Sequence, residues 1–442
     1  MSKNQVKRPL QLLCLLLALT LLLAGCSRGG SAPGASAKSG QTTENAESGS
    51  VEPGGQELPS DADETAPGAA ATPRADVSLP DGRVIESDSE SVDLSACSST
   101  ELEAALDALK ALPALKRVEL GEERAELSWE SIEALRAALP EVGIRFAFDL
   151  YGTECNLENT EISLYHVPID ADDGVFLERV MDLMPQLAYV DLDGCGLPMW
   201  RCEEINLRRP DVKVVFRVWF GVNYSVRSDV EMILASKPTT GGELSPDRVE
   251  GLYYCHDVKY LDVGHNLMMT DIGFIAEMPK LEVAILAMCN WSDATPLSHC
   301  PELEYLEMQT TLCTDLSPLS GLTKLRHLNI CNIGMDQVRG TPVHLTDISP
   351  LYSLTELERL WVGAYNDVPK EQIEEMRRRA PNCEVNDTVA DPHGGRWRCI
   401  DMADFINTYV DTYHERYILL REQFGDYEYK AYSFSWNDPM YY

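Results

Sequence analysis

The chain has 442 residues, with 71 acidic against 37 basic side chains and a formal net charge of −34. Such an acid excess repels phosphate backbones, which argues against nucleic acid as a partner and disfavours anionic lipid headgroups. It also favours solubility and leaves a basic or neutral ligand as the better match.

Lys3, Lys7 and Arg8 precede an apolar run from Leu10 to Leu23 that is short for a membrane span, which predicts a secretory signal. The run ends in Leu23-Ala24-Gly25-Cys26, and this resembles the lipobox of bacterial lipoproteins. The resemblance implies removal of residues 1–25, acylation of Cys26 and anchoring to the outer face of the bacterial cytoplasmic membrane. Cleavage there removes three bases and no acid, so the formal charge moves from −34 to −37.

Residues 27–90 contain no Phe, Trp or Tyr and are rich in Gly, Ser, Ala, Pro and Thr, with twelve acids against four bases. A segment of that composition lacks apolar surface for a core and is expected to be a disordered acidic linker, with a root-mean-square span of roughly 45 Å. Of the 13 cysteines, Cys14 leaves with the signal and Cys26 takes lipid, which leaves eleven. An odd number at irregular spacing, without a C-x-x-C pair, argues against a disulfide framework and a structural zinc site and predicts a packing role.

Residues 91–257 read as long, helix-bearing repeats. The runs opening at Leu115, Leu187 and Val258 lie 72 and 71 residues apart. Ile132, Leu135 and Leu139 share one face of a helical stretch from Ser131, which leads into Pro140-Glu141-Val142-Gly143-Ile144-Arg145-Phe146. The same motif returns 70 residues on, from Pro210 to Phe216.

Residues 258–390 carry a shorter period. Leu281, Leu303, Leu325 and Leu357 each open an L-x-x-L-x-L run, and Val258 opens the same pattern before them. The three from Leu281 to Leu325 stand 22 residues apart, and the step to Leu357 is longer because Gly334 to His344 reads as an inserted loop. Thr295-Pro296-Leu297, Ser317-Pro318-Leu319 and Ser349-Pro350-Leu351 predict short helical turns, with the hydroxyl residue as cap and proline in the first position. The last unit returns by a helix, Lys370 to Arg379, into Pro381-Asn382-Cys383-Glu384-Val385.

On these residues the stretch 258–366 resembles the 22-residue repeats of internalin-type leucine-rich-repeat proteins, and the layout resembles anchored repeat lipoproteins of Gram-positive bacteria. The fold expected is an α/β solenoid: a leucine-rich-repeat right-handed superhelix with a parallel concave sheet and an aromatic C-terminal cap. The family pattern places Asn or Cys at the ninth position, where the side chain serves backbone groups in the turn. Cys195, Asn266 and Cys289 stand there, and Thr311, Ile333 and Tyr365 follow in the later units.

In residues 391–442 Phe405, Tyr409, Tyr413 and Tyr417 recur every four residues, continued by Leu420 and Phe424, which predicts one helical stripe. A cap over the open end of the solenoid is the first reading, and a sugar- or peptide-binding module using Trp397 and Trp436 is the second.

With the leucines inward, the intervening side chains form rows on the concave sheet. The third positions are Tyr260, Val283, Tyr305, His327 and Arg359, and the fifth are Asp262, Ile285, Glu307, Asn329 and Trp361. Tyr260, Asp262, Tyr305, Glu307, His327, Arg359 and Trp361 are the candidate ligand contacts, being types that supply binding energy when exposed.

A nucleophile elbow, a phosphate loop and a metal-binding helix are all missing from the sequence. Cys255-His256 and Cys300 with His299 are poor dyads, because adjacent strand residues point to opposite faces, and His393 stands six residues before Cys399. Asp191-Leu192-Asp193-Gly194 is too short for a calcium loop. The expectation is a non-enzymatic surface protein without cofactor or metal, binding an extracellular protein or glycan. The alternatives are an envelope scaffold lipoprotein and a glycan-acting enzyme with its site in the C-terminal tail.

Overall fold

The computed structural model describes residues 76–169, 171–236, 244–331, 333–334, 344–388 and 397. The signal and lipobox, the linker up to residue 75, the centre of the inserted loop, and the 391–442 cap apart from Trp397 lie outside the described residues. So do His393, Cys399 and the tail stripe that the cap and enzyme readings used. Among the described residues no helix is long and apolar enough to cross a membrane.

The linker expectation needs correction from residue 76 onward. β1 (Val77–Ser78) and β2 (Val84–Ile85) pair antiparallel, and Leu79 is buried. Val77, Leu79 and Ile85 give this stretch apolar side chains to bury, which the Gly-Ser-Ala-Pro run before it lacks.

Each long repeat runs strand, helix, strand, helix, strand and then turns back in a hairpin. β3 (Ser91–Asp93), β4 (Arg117–Glu122) and β5 (Gly143–Leu150) are parallel, and β6 (Thr153–Asn156) folds back antiparallel on β5. β7 (Glu161–Ser163), β8 (Tyr189–Asp191) and β9 (Lys213–Val215) repeat the plan, followed by the antiparallel pair β10 (Arg217–Phe220) and β11 (Tyr224–Arg227). The returning helices are Ser99–Lys110, Trp129–Ala138, Val175–Leu183 and Met199–Arg208. The first begins with a capping box in which Ser98 and Glu101 satisfy each other's amides.

The third sheet holds seven parallel strands in chain order. They are β12 (Met232–Leu234), β13 (Tyr260–Asp262), β14 (Val283–Ile285), β15 (Tyr305–Glu307), β16 (His327–Asn329), β17 (Arg359–Trp361) and β18 (Glu384–Asn386). The single parallel sheet of the expectation is therefore three sheets. The chain doubles back at each hairpin, and in the first block β6 occupies the β5 edge that the next repeat's strand would have taken. The boundary placed at residue 258 also moves upstream, because β12 belongs to the compact-repeat sheet.

The aliphatic positions of the repeat do point inward. Leu261, Ala284, Leu306, Leu328 and Leu360 stack on successive strands, all at 1% exposure or less, within one core that continues into the long repeats. This is an α/β solenoid, in which each coil buries its leucines against the next. The chain returns through 3₁₀ turns at Gly273–Glu277, Thr295–His299, Ser317–Gly321 and Ser349–Ser353, and finally through helix Lys370–Arg379.

Two local expectations change. The hydroxyl side chains do not cap these turns; an aspartate two residues upstream does. Asp293, Asp315 and Asp347 accept the amides of Thr295, Ser317 and Ser349 at 2.8, 2.9 and 2.8 Å. Hydrogen bonds from the Thr295 and Ser317 hydroxyls and then their amides hold Asp293 and Asp315 below the ordinary carboxyl range, and the Ser349 amide, then its hydroxyl, does so for Asp347. At the ninth position Asn266 donates to the carbonyls of Ala235, Val263 and Gly264, and the Cys289 thiol reaches that of Val263. In the last unit Asn366, not Tyr365, takes this role, donating to Ile330 and Val362 carbonyls at 2.8 and 2.7 Å. Tyr365 is exposed instead.

Candidate functional site

The strand register fixes which side chains share a face. Between β13 and β17 it aligns Tyr260, Val283, Tyr305, His327 and Arg359 in one row and Asp262, Ile285, Glu307, Asn329 and Trp361 in the next. Neighbouring strands lie about 4.8 Å apart, so each row is a ladder of side chains in mutual contact range. All seven predicted contacts stand on this outer face, opposite the leucines. β12 and β18 lengthen the rows with Met232 and Leu234 at one end and Glu384 and Asn386 at the other.

The expected exposure of these side chains is not what the structure shows. Tyr260 is half-buried, and Asp262, Tyr305, Glu307, His327, Arg359 and Trp361 are buried. They do not join the leucine core. Val283, Ile285, Tyr305, Cys331, Trp361 and Trp397 form a second apolar cluster, with Met232 and Tyr260 packed against it. For Tyr305, Glu307, Arg359 and Trp361 the physical reason is Trp397, which lies against them on the outer face of the sheet, itself at 2% exposure.

The indole of Trp397 is held on several sides. Its Nε1 donates to the Tyr305 hydroxyl at 2.8 Å and to Glu307 Oε1 at 2.9 Å. Tyr305 in turn donates to the same carboxylate, and Gln309 Nε2 donates to its other oxygen at 3.2 Å. The Trp397 backbone carbonyl accepts from Arg359 Nη1. The Arg359 guanidinium lies 4.9 Å from the Trp361 ring centroid and 5.1 Å from that of Trp397, and the two indoles meet edge-on at 5.3 Å. Glu384 Oε2, 3.3 Å from Arg359 Nε, orients the guanidinium from the next strand.

The structure thus gathers Tyr305, Glu307, Arg359 and Trp361 around one ring, with His327 edge-on to Tyr305 at 5.8 Å. Tyr260 and Asp262 stand further along the sheet. The Tyr260 hydroxyl donates to Glu282 at 3.3 Å, and burial beside that carboxylate pushes its phenol up to about 12. Asp262 accepts the Gly264 amide at 2.9 Å. Sequence reasoning passed over the third row, two residues beyond the second, which supplies Gln309 and Cys331. It also left Glu384 out of the rows. The strand register was the available signal for both.

A second concavity, of about 540 Å³, lies where the last long repeat meets the compact ones. Met199, Trp200, Trp219, Arg217 and Glu250 line it, with Trp200 and Trp219 49% and 55% exposed. Cys195 and Cys202 reach it as well, their thiols hydrogen-bonded to each other. That bond draws the Cys195 thiol down to about 7 and raises that of Cys202. The other cysteine and histidine candidates stay apart. Burial pushes the Cys255 and Cys300 thiols up to about 12, His299 is exposed, and His256 bonds to Glu203.

No protein-family model matches the chain. A curated relative, cilia- and flagella-associated protein 410 of Mus musculus, is 30% identical over 105 residues, which are 24% of this chain and 42% of that protein. The chain therefore spans less than half the length of that relative. Among solved structures, an internalin (inlF) of Listeria monocytogenes overlaps 64% of this chain and 65% of its own at 16% identity and TM-score 0.31. Internalin C2 of the same organism overlaps 65% and 92% at 14% identity and TM-score 0.28. A leucine-rich-repeat protein of Leptospira interrogans overlaps 63% and 74% at 15% identity and TM-score 0.31.

Proposed function

We propose that this chain is an extracytoplasmic recognition protein, anchored through Cys26 to the membrane of a Gram-positive bacterium, that binds a protein or glycan partner without catalysing a reaction. On this reading the two in-register rows line the concave side of a right-handed superhelix. The observation that carries it is the grip on Trp397: Tyr305, Glu307, Arg359 and Trp361 engage one aromatic side chain through hydrogen bonds, a cation–π contact and ring contact. A face that holds an indole this way has the chemistry of an interface hot spot.

The test is capture from envelope and host-surface extracts by residues 76–442, beside Tyr260→Ala and Arg359→Ala variants whose folding is checked by circular dichroism. Loss of the partner in a folded variant supports the reading, and full retention by both sinks it. Cys26→Ala is expected to release the full chain from the membrane fraction; continued sedimentation with membranes argues against the anchor.

The second reading is an envelope scaffold that holds cell-wall glycan, favoured by the exposed Trp200 and Trp219 beside the cleft. Sugar rings stack on such indoles. Salt-resistant binding to purified peptidoglycan that is lost in Trp200→Ala/Trp219→Ala favours this reading over the first.

A further inference from the structure

We infer that the outer sheet face around Tyr305, Glu307, Arg359 and Trp361 is a binding site for a tryptophan side chain flanked by basic residues, filled in cis by Trp397, which a partner peptide of the same chemistry enters by displacement. The inference rests on the recognition reading above and names the partner class and the regulation of that site.

Three observations converge. Glu307 is a carboxylate at 2% exposure, and its oxygens accept from Tyr305, Gln309 and the Trp397 indole. A buried anion needs such donors. An indole N–H supplies one with a flat apolar ring attached, and Phe has no donor to offer. Arg359 then reads the ligand twice, through the ring face and through the backbone carbonyl, so the site recognises an amino acid residue and not merely an aromatic group.

The ligand seated there comes from far along the chain, 92 residues after Tyr305. In the sequence Trp397 stands between Arg396 and Arg398, in a chain with 71 acids and 37 bases. A basic-aromatic-basic sequence complements both the buried carboxylate and the acidic surroundings. Every contact described for Trp397 is made by side chains of the sheet, not by strand pairing, so the same residue on another chain makes the same contacts. A cis ligand at high effective concentration sets the threshold that a partner must exceed.

The test uses the full chain and indole as a probe. In Trp397→Gly, millimolar indole is expected to raise the melting temperature by several degrees. It is expected to leave wild type unchanged, because the site is filled, and to have no effect on Trp397→Gly/Glu307→Gln. No response in a folded Trp397→Gly variant, or an equal response in wild type, overturns the inference.

Should Trp397→Gly fail to fold, wild type labelled with 5-fluorotryptophan serves instead, its Trp397 resonance identified by its absence in Trp397→Phe. Titration with an Arg-Trp-Arg peptide is expected to shift that resonance to the solvent-exposed position, while Arg-Ala-Arg leaves it in place; no shift overturns the inference. The two readings fail separately. Partner capture that Arg359→Ala abolishes, without any indole response, removes the tryptophan site alone. An indole response, with capture untouched by Arg359→Ala, removes the recognition reading of this face.

Discussion

His256 Nε2 lies 2.9 Å from Glu203 Oε1, and its Nδ1 lies 3.0 Å from the Glu277 carbonyl, so one imidazole joins helix Met199–Arg208 of the long repeats to the turn Gly273–Glu277 of the compact ones. The Glu203 hydrogen bond raises the histidine above its ordinary pKa, against the pull of burial. A raised folded-state pKa gives stability that is fully present below the unfolded value and lost as pH rises through the folded one. The denaturation midpoint of wild type should therefore exceed that of His256→Gln most at about pH 5.5, and the gap should close by about pH 9. A gap that widens with pH refutes the assignment.

Leu306 is fully buried on β15 between Tyr305 and Glu307, which face the other way. Leu306→Ala should cost about 3 kcal/mol in chemical denaturation, since methyl groups are removed from a core that closes only partly. Arg326→Ala, at an exposed position just before β16, should cost under about 0.5 kcal/mol. Equal costs would contradict the inward and outward assignment.

Asp315 caps the turn Ser317–Gly321 through the Ser317 amide. Asp315→Ala should lower stability by about 1 kcal/mol, and Ser317→Ala, which keeps the amide, by much less. The Asp315 carboxyl is held below its ordinary range. Its contribution is therefore present above the unfolded pKa and lost as pH falls through the folded one, and the wild-type advantage should vanish in acid. Persistence of the advantage at about pH 2 would exclude the carboxylate as cap.

Among the described cysteines, Cys195 should be the thiol that alkylates at the lowest pH. Its reaction with iodoacetamide should titrate near about 7 and shift toward about 8.5 in Cys202→Ala, where the donated hydrogen bond is gone. Peptide mapping after brief labelling reads both. An unshifted profile in the variant assigns the low value to another cause.

The repeat itself was legible because its signal is redundant: Leu281, Leu303 and Leu325 recur at one spacing, and each buried leucine reports the same geometry. The aspartate caps were equally regular, two residues before Thr295, Ser317 and Ser349, yet the hydroxyl residues drew attention because isolated helices favour them at the same place. The left-handed turn residues carry no such mark. His265, Met288 and Thr310 adopt φ of 63°, 57° and 59° where glycine would be looked for, since the stacked coils hold the turn regardless of side chain. The shift from Tyr365 to Asn366 follows Gly363, at φ +78°, where any side chain would strike Cys331. That crowding is a tertiary fact. The burial of the candidate contacts was invisible for a related reason: strand alternation tells which face a residue takes, but not that a tryptophan 92 residues away lies on that face.

The breaks between the three sheets bear on how the solenoid responds to tension. A parallel ladder peels one strand at a time from its edge, and each strand released leaves the next one exposed. At the β5–β6 and β10–β11 hairpins that ladder stops, so a tear starting at the N-terminal coils runs out of shared hydrogen bonds before it reaches β12. Past that point the helix-bearing repeats are joined to the seven strands that carry the aromatic face through the shared leucine core and not through a common ladder.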